Sequence, residues 1–151
     1  MRQPFQILVI PFIKNKDKYR FGVLLRKEEE VWQFVAGGGE EDETIVATAR
    51  RESVEELNLD KRFQMYQLDS LAHIPGYHFS FKRPYVIPEY SFAIDLSVCL
   101  SDVKLSLEHK EFKWVSYEEA FKLLAWDSNK TALYELNERL KNHDMNVIEK
   151  G

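Results

Sequence analysis

Three glutamates, Glu52, Glu55 and Glu56, stand three and four residues apart in a stretch with helical composition. At about 3.6 residues per turn they share one helix face. Like charges at that spacing repel by roughly 0.2–0.5 kcal/mol per pair, and no lysine is interspersed to relieve them. A divalent cation turns the repulsion into a binding site, because hard ions take carboxylate oxygens. Upstream, Gly37-Gly38-Gly39 opens an acidic run, Glu40-Glu41-Asp42-Glu43. Glycines allow a ligand to approach the backbone closely.

These residues need a frame. Gln6 to Ile13, rich in isoleucine, valine and phenylalanine, reads as a first strand, followed by a polar turn over residues 14–18. Phe21 to Arg26 reads as a second strand antiparallel to it, and Trp32 to Val35 as a short one leading into the glycines. The helix is expected to begin near Thr44, capped or charge-stabilised by Asp42 or, failing that, Glu43. Val46, Ala47, Val54 and Leu57 are expected to form its packing face, with Arg50 snorkelling out of that arc. Phe63 to Ile74 is a long β-type run ended by Pro75-Gly76. The aperiodic segment Tyr77 to Pro88, with aromatics, Lys82, Arg83 and two prolines, reads as a substrate lid or specificity loop.

Glu89 to Val98 reads as a strand in which Tyr90, Phe92, Ile94 and Leu96 alternate against Glu89, Ser91 and Asp95. Phe112 to Val115 is a further short strand. Ser116 and Glu119 make a capping-box pattern for a helix ending near Trp126. Asp127 or Ser128 caps another that runs to about Asn142, with Leu133, Leu136 and Leu140 in the core. The tail after His143 carries no motif. Several strands, one central helix and two C-terminal helices predict an α+β domain spanning residues 1–151, its mixed sheet flanked by helices.

Composition limits the partners. The chain has 151 residues, 44% hydrophobic and 30% charged, the balance of a globular protein with a real core. With net charge −4 and no long basic run, nucleic acid is not an expected partner. The apolar run from Ile7 to Ile13 is too short to span a membrane and reads as a strand, not a signal peptide. The single cysteine, Cys99, reads as a small buried hydrophobe; a lone cysteine excludes an internal disulfide framework and fits a reducing, cytoplasmic compartment.

The spacing Gly37, five residues, Glu43, seven residues, Arg51-Glu52, two residues, Glu55-Glu56, one residue, Asn58, Leu59 resembles the box of the Nudix pyrophosphohydrolases. Ser53 stands where that family has an aliphatic residue, Asn58 replaces its final glycine, and Ala36 stands where a proline is frequent. Asparagine is the next best residue for a left-handed helix end. A narrower resemblance, carried by residues 86–95, 107–114 and 126–130, is to the branch of dATP pyrophosphohydrolases and dihydroneopterin triphosphate pyrophosphatases.

These resemblances imply the Nudix fold, an α/β/α sandwich, and hydrolysis of a small-molecule phosphoanhydride assisted by Mg2+ or Mn2+. The expected substrate is a dATP-like nucleoside triphosphate or dihydroneopterin triphosphate. The alternatives are ADP-ribose or a dinucleoside polyphosphate, or a ligand-binding Nudix domain without catalysis. Glu52 and Glu56 are implied as metal ligands, helped by Glu55 and by a backbone carbonyl at Ala36 or Gly37. Arg51 is implied to hold the carboxylates, with Glu43 as its partner. Glu108 is implied as general base or extra ligand; His109 is the alternative base, and Glu111 reads as a solvated neighbour. Arg26 reads either as a solvated strand end or as a phosphate contact. Phe34, Tyr77, Phe79 and Tyr85 can stack a base or pterin ring, and Arg83 is a candidate contact on the loop. His73 and His78 have no spacing that suggests a metal site. A monomer or a homodimer is expected.

Overall fold

The apolar run that starts the chain becomes the centre of the sheet. In the computed structural model, which describes residues 2–59, 63–98 and 109–150, with backbone only at residues 109 and 147–150, β1 spans Gln6–Asn15. Its first eight residues are all buried, as a strand covered on both faces requires. One flank of β1 pairs antiparallel with two partners in succession: β4 (Val35–Gly38) along residues 6–9 and β2 (Lys18–Arg26) along residues 12–15. Pro11, which has no amide hydrogen to give, falls between the two stretches. The other flank pairs in parallel with β6 (Val86–Asp95).

The remaining strands extend this frame. β3 (Trp32–Gln33) and β7 (His109–Val115) pair with β2. β5 (Gln64–Pro75) pairs antiparallel with β6, across an irregularity between Gln67 and Leu71. β8 (Val147–Lys150) pairs with β5. The result is a mixed, eight-stranded sheet with a main path β3-β2-β1-β6-β5-β8. Two features depart from the sequence expectation here. The tail after His143 supplies a strand, too short to show a period. Val86 to Pro88 belong to β6, so the connecting segment is shorter than expected and begins with a single 3-10 turn, Gly76–Phe79.

Three helices cover the sheet among the described residues: α1 (Ile45–Leu57), α2 (Tyr117–Leu123) and α3 (Asp127–Lys141). The period-two geometry of β1 divides the core. Leu8, Ile10 and Phe12 pack with Ala93 of β6 and with Leu133, Leu136 and Leu140 of α3. Ile7, Val9 and Ile13 pack on the opposite face with Phe92 and Ile94 and with Ala49 and Leu57 of α1. Each fully buried aliphatic or aromatic side chain is worth about 1.5–3 kcal/mol, so both faces are strongly fixed. None of the described helices is long and apolar enough to cross a membrane. Ser116 caps α2 by accepting from the Glu119 amide at 3.2 Å, but α2 stops at Leu123, because Leu124 turns to extended backbone. Trp126, not Asp127 or Ser128, is the N-cap of α3, without a side-chain bond.

Candidate active site

The helix that carries the carboxylates is fixed at both ends by local chemistry. Thr44, with extended backbone, accepts from the Ala47 amide at 3.1 Å and is the N-cap of α1. Asp42 does not cap; it adopts a left-handed conformation, φ 62°, and turns the loop. Asn58 ends the helix at φ 52°, ψ 48°, its amide bonded to the Val54 carbonyl, which is the left-handed stop expected of it. The packing face is rotated from the expected one. Ala49, Ser53 and Leu57 are buried, whereas Ala47 and Val54 are exposed. Ser53 is accommodated because its hydroxyl donates to the Ala49 carbonyl at 2.8 Å.

That rotation sets the carboxylates apart from one another. Glu56 is 4% exposed and Glu52 is largely covered, while Glu55 points outward. Glu52 lies against β4: a Cβ built on Gly37 would fall 1.4 Å from its Oε2. With Glu52 in this position no side chain larger than hydrogen fits there, and Gly37 has no positive φ, so the glycine serves close approach. Among the described residues no three acidic, histidine or cysteine side chains converge into a closed metal cage. Mg2+ does not need one, since it keeps several waters and takes one or two carboxylates together with substrate phosphates. Glu52, seated against the half-buried Gly37, and Glu56 one turn further along the helix fit that requirement.

Arg51 binds the parts together. Its Nε and Nη2 donate to the two carboxylate oxygens of Glu43 at 2.8 and 2.9 Å, and Nη2 also donates to the Gly38 carbonyl at 2.9 Å. Nη1 reaches Glu55 at 3.2 Å and Glu52 at 3.4 Å. One planar guanidinium thus joins the acidic loop, the glycine strand and the carboxylate helix. Glu43 also accepts from the Glu40 amide at 2.9 Å and the Thr48 hydroxyl at 2.8 Å. The Arg51 bonds, foremost, hold the Glu43 carboxyl down at about 2.

A cavity of about 1050 Å³ opens beside this arrangement, lined at one end by Ala36, Gly37, Arg51 and Glu52. Gln33, Glu89, Trp126, Ser128 and Asn129 also line it. Arg26 is on the wall, paired with Glu29 at 2.7 Å. The other expected substrate contacts are elsewhere. Phe34 is fully buried in the core, and its amide donates to Asn129 Oδ1 at 2.9 Å. Tyr77 and Tyr85 are 71% exposed and do not line the cavity. Arg83 stacks over Tyr85 on the loop. From that segment it is His78 and Phe79 that reach the cavity. Glu108 and Cys99 lie outside the described residues, as does the side chain of His109; Glu111 pairs with Lys113 at 3.7 Å.

Several lining residues were not singled out from the sequence. Arg2 places its guanidinium where a Gly38 side chain would be, bonds to Gln6, and covers the Phe79 ring at 4.1 Å. Burial lowers its pKa, and the charge of Glu52 opposes that shift. Trp126 donates from its indole to Gln33 Oε1 at 3.1 Å. Glu89 and Ser91, which alternate against the apolar residues of their strand as expected, are 5% and 3% exposed, because α3 covers that side of the sheet. Burial raises the pKa of Glu89, partly offset by a hydrogen bond from Ser128.

The comparisons with known proteins agree with this geometry. The family model of the NUDIX domain matches residues 5–136. The chain belongs to the NUDIX family. A provisionally named NUDIX hydrolase of Listeria monocytogenes is 68% identical over 95% of this chain and 98% of its own, with a TM-score of 0.89. At 23% identity, the E. coli dihydroneopterin triphosphate pyrophosphohydrolase shares the fold with a TM-score of 0.72, over 90% of this chain and 97% of its own. A C. elegans Ap4A hydrolase shares it at 20% identity and a TM-score of 0.73, over 93% and 99%. No curated protein matches the chain. The mixed sheet with helices on both faces is therefore the NUDIX fold, in the α+β class, and the stretch from Gly37 to Leu59 lies within the matched residues.

Proposed function

We propose that this Nudix hydrolase is a Mg2+- or Mn2+-dependent pyrophosphohydrolase of a nucleoside or pterin triphosphate, releasing the monophosphate and pyrophosphate. One observation carries the reading. The carboxylate of Glu52, seated against Gly37, opens on one end of a cavity large enough for such a molecule. The hydrolase class itself follows from the family and from the Listeria relative. The fold likeness to the E. coli pterin triphosphate enzyme favours this substrate class by analogy.

Glu52 and Glu56, with the carbonyl of Ala36 or Gly37, would hold the metal, helped by Glu55. Held there, a divalent cation would supply charge neutralisation of the phosphate oxygens and a lowered pKa for the attacking water. Arg51 keeps Glu52 oriented while its other bonds lock the loop and the glycine strand. Arg2 and Arg26 on the cavity wall offset phosphate charge. Water forms a bond to a phosphorus of the α–β bridge, the bridging P–O bond breaks, and the water proton passes to Glu108. The chain acts in the cytoplasm as a monomer or homodimer on small molecules, and its residues 1–151 form one catalytic unit.

A panel of dATP, other nucleoside triphosphates, dihydroneopterin triphosphate, ADP-ribose and diadenosine polyphosphates, read by product identity, tests the reading. Pyrophosphate with a monophosphate is the expected product pair. Release of pyrophosphate from none of the triphosphates overturns it.

A further inference from the structure

Glu89 is the feature of the cavity that hydrolysis does not use. The sheet register shows why. Gln6 pairs with both Gly38 and Glu89, so these three share the face that α3 covers. Gly37 pairs with Ile7 and faces α1, where Glu52 sits. Glu89 is therefore on the side of the sheet away from Glu52, while lining the same cavity, and is set to meet the part of a substrate that is not phosphate.

Its surroundings favour a ligand that donates hydrogen bonds. The carboxyl is 5% exposed and receives a bond from Ser128, yet Oε1 finds no hydrogen-bond partner among the described residues. Arg2, on the same face, spends its Nη2 on Gln6 and covers the Phe79 ring, and its Nε, like Glu89 Oε1, has no hydrogen-bond partner among the described residues. A buried acceptor without a donor is unfavourable, and each carboxylate oxygen has two lone pairs to fill. Asn129 Oδ1 accepts from the Phe34 amide while its Nδ2 donates to the Ser128 hydroxyl at 3.3 Å, and Gln33 Oε1 accepts from Trp126, which leaves the Gln33 amide group to meet a carbonyl. Trp126, Phe79 and Ile74 supply apolar walls.

From this juxtaposition we infer that Glu89 is a specificity residue that reads the 2-amino-4-oxopyrimidine edge shared by guanine and pterins. That edge presents a ring N–H and an exocyclic amine side by side, two donors for one carboxylate, with a carbonyl next to them. Adenine has the amine but no ring N–H beside it, and leaves the pattern half filled. The inference rests on the triphosphate reading only for the orientation of the ligand.

Binding without turnover tests it. GMP, neopterin monophosphate and AMP are titrated calorimetrically, without metal, into the wild-type chain, Glu89→Gln and Ser128→Ala. Pyrophosphate with Mn2+ is titrated separately. The wild type is expected to bind GMP or neopterin monophosphate at least about tenfold tighter than AMP, the worth of one added bond to a charged acceptor. The tighter of the two identifies the source of the edge. Glu89→Gln, whose amide donates where a donor must be received, is expected to lose the preference while binding Mn2+-pyrophosphate as before. Ser128→Ala, which leaves the carboxyl in place but removes its donor, is expected to change the preference several-fold and decides the matter if Glu89→Gln does not fold. Equal binding of GMP, neopterin monophosphate and AMP by the wild type overturns the inference, as does an unchanged preference in the folded variants. If the preference holds while no triphosphate is cleaved, the ring reading stands and the hydrolytic reading falls.

Discussion

Gly37→Ala isolates the position of Glu52 from every other property of the site. Gly37 has no positive φ, so alanine adds no backbone strain. The added Cβ would meet Glu52 Oε2 at 1.4 Å, Cδ at 2.2 Å and Cγ at 2.6 Å. Ordinary contact begins near 3.4 Å, so the carboxylate must retreat by about 2 Å, and the close Cγ requires the side chain to change rotamer. An off-rotamer side chain costs about 0.5–1.5 kcal/mol, which lowers the melting temperature of a domain of this size by only a few degrees. The catalytic cost is larger. Mg2+ demands oxygens at about 2.0–2.1 Å, and misplacing a reacting constellation by about 1 Å costs about 10²-fold. We therefore expect kcat to fall about 100-fold or more, equivalent to about 2.7 kcal/mol, with a weaker Mg2+ midpoint and a nearly unchanged melting curve. Initial rates of phosphate-product release across a Mg2+ titration, with thermal unfolding in parallel, measure both. A Gly37→Ala protein within a few-fold of wild-type kcat at saturating Mg2+ refutes the assignment of Glu52.

Arg51→Lys tests the fork, since an ammonium cannot serve both oxygens of Glu43 and the Gly38 carbonyl together. We expect about 1–3 kcal/mol of destabilisation in urea and a 10- to 100-fold loss of activity, as for other partners that orient metal ligands. Glu43 predicts a pH signature. Its folded pKa, about 2, lies below the unfolded value of about 4.3, so its stabilising effect is complete above that range and is lost as pH falls toward 2. The stability gap between wild type and Glu43→Gln, from urea unfolding at successive pH, should be constant above pH ~5 and close below ~4; a gap that does not change contradicts the Arg51 pairing. Glu135 accepts from the Asp69 amide at 2.7 Å, the Ser70 amide at 2.8 Å and Arg139 at 2.8 Å, which secures the irregularity in β5. Glu135→Ala should cost roughly 2–4 kcal/mol by leaving those amides without their acceptor, measured as a lower melting temperature.

The parts of the fold legible in the sequence were those governed by local rules. The capping box at Ser116, the left-handed stop at Asn58 and the apolar run of β1 each depend on a few adjacent residues. What the sequence left open or misplaced depends on a tertiary partner. Glu89 and Ser91 alternate with aromatics as solvent-facing residues would, and only the packing of α3 across that face buries them. Ala47 and Val54 belong to an apolar set, yet the helix is rotated so that Ser53 packs instead, its hydroxyl satisfied within the helix. β8 is four residues long and gains its strand character only from β5.

The site divides along the same line, and the division has a chemical reason. Phosphate chemistry needs charged groups at fixed mutual spacing, and a helix supplies that spacing within a dozen residues, so Arg51, Glu52, Glu55 and Glu56 can be recognised together. Recognition of a ring needs groups around a plane, and a sheet supplies them from its neighbouring strands and covering helix. Gln33, Glu89 and Asn129 are far apart in the chain and meet only through the pairing of β3 with β2, the register of β1 with β6 and the seating of α3. Arg2 is the limiting case, a cation four residues before the first strand that enters the cavity because Gly38 leaves it room. A change of the α1 face is therefore expected to alter whether the reaction runs, and a change of the α3 face to alter on which ring it runs. The two effects separate because the sheet lies between them.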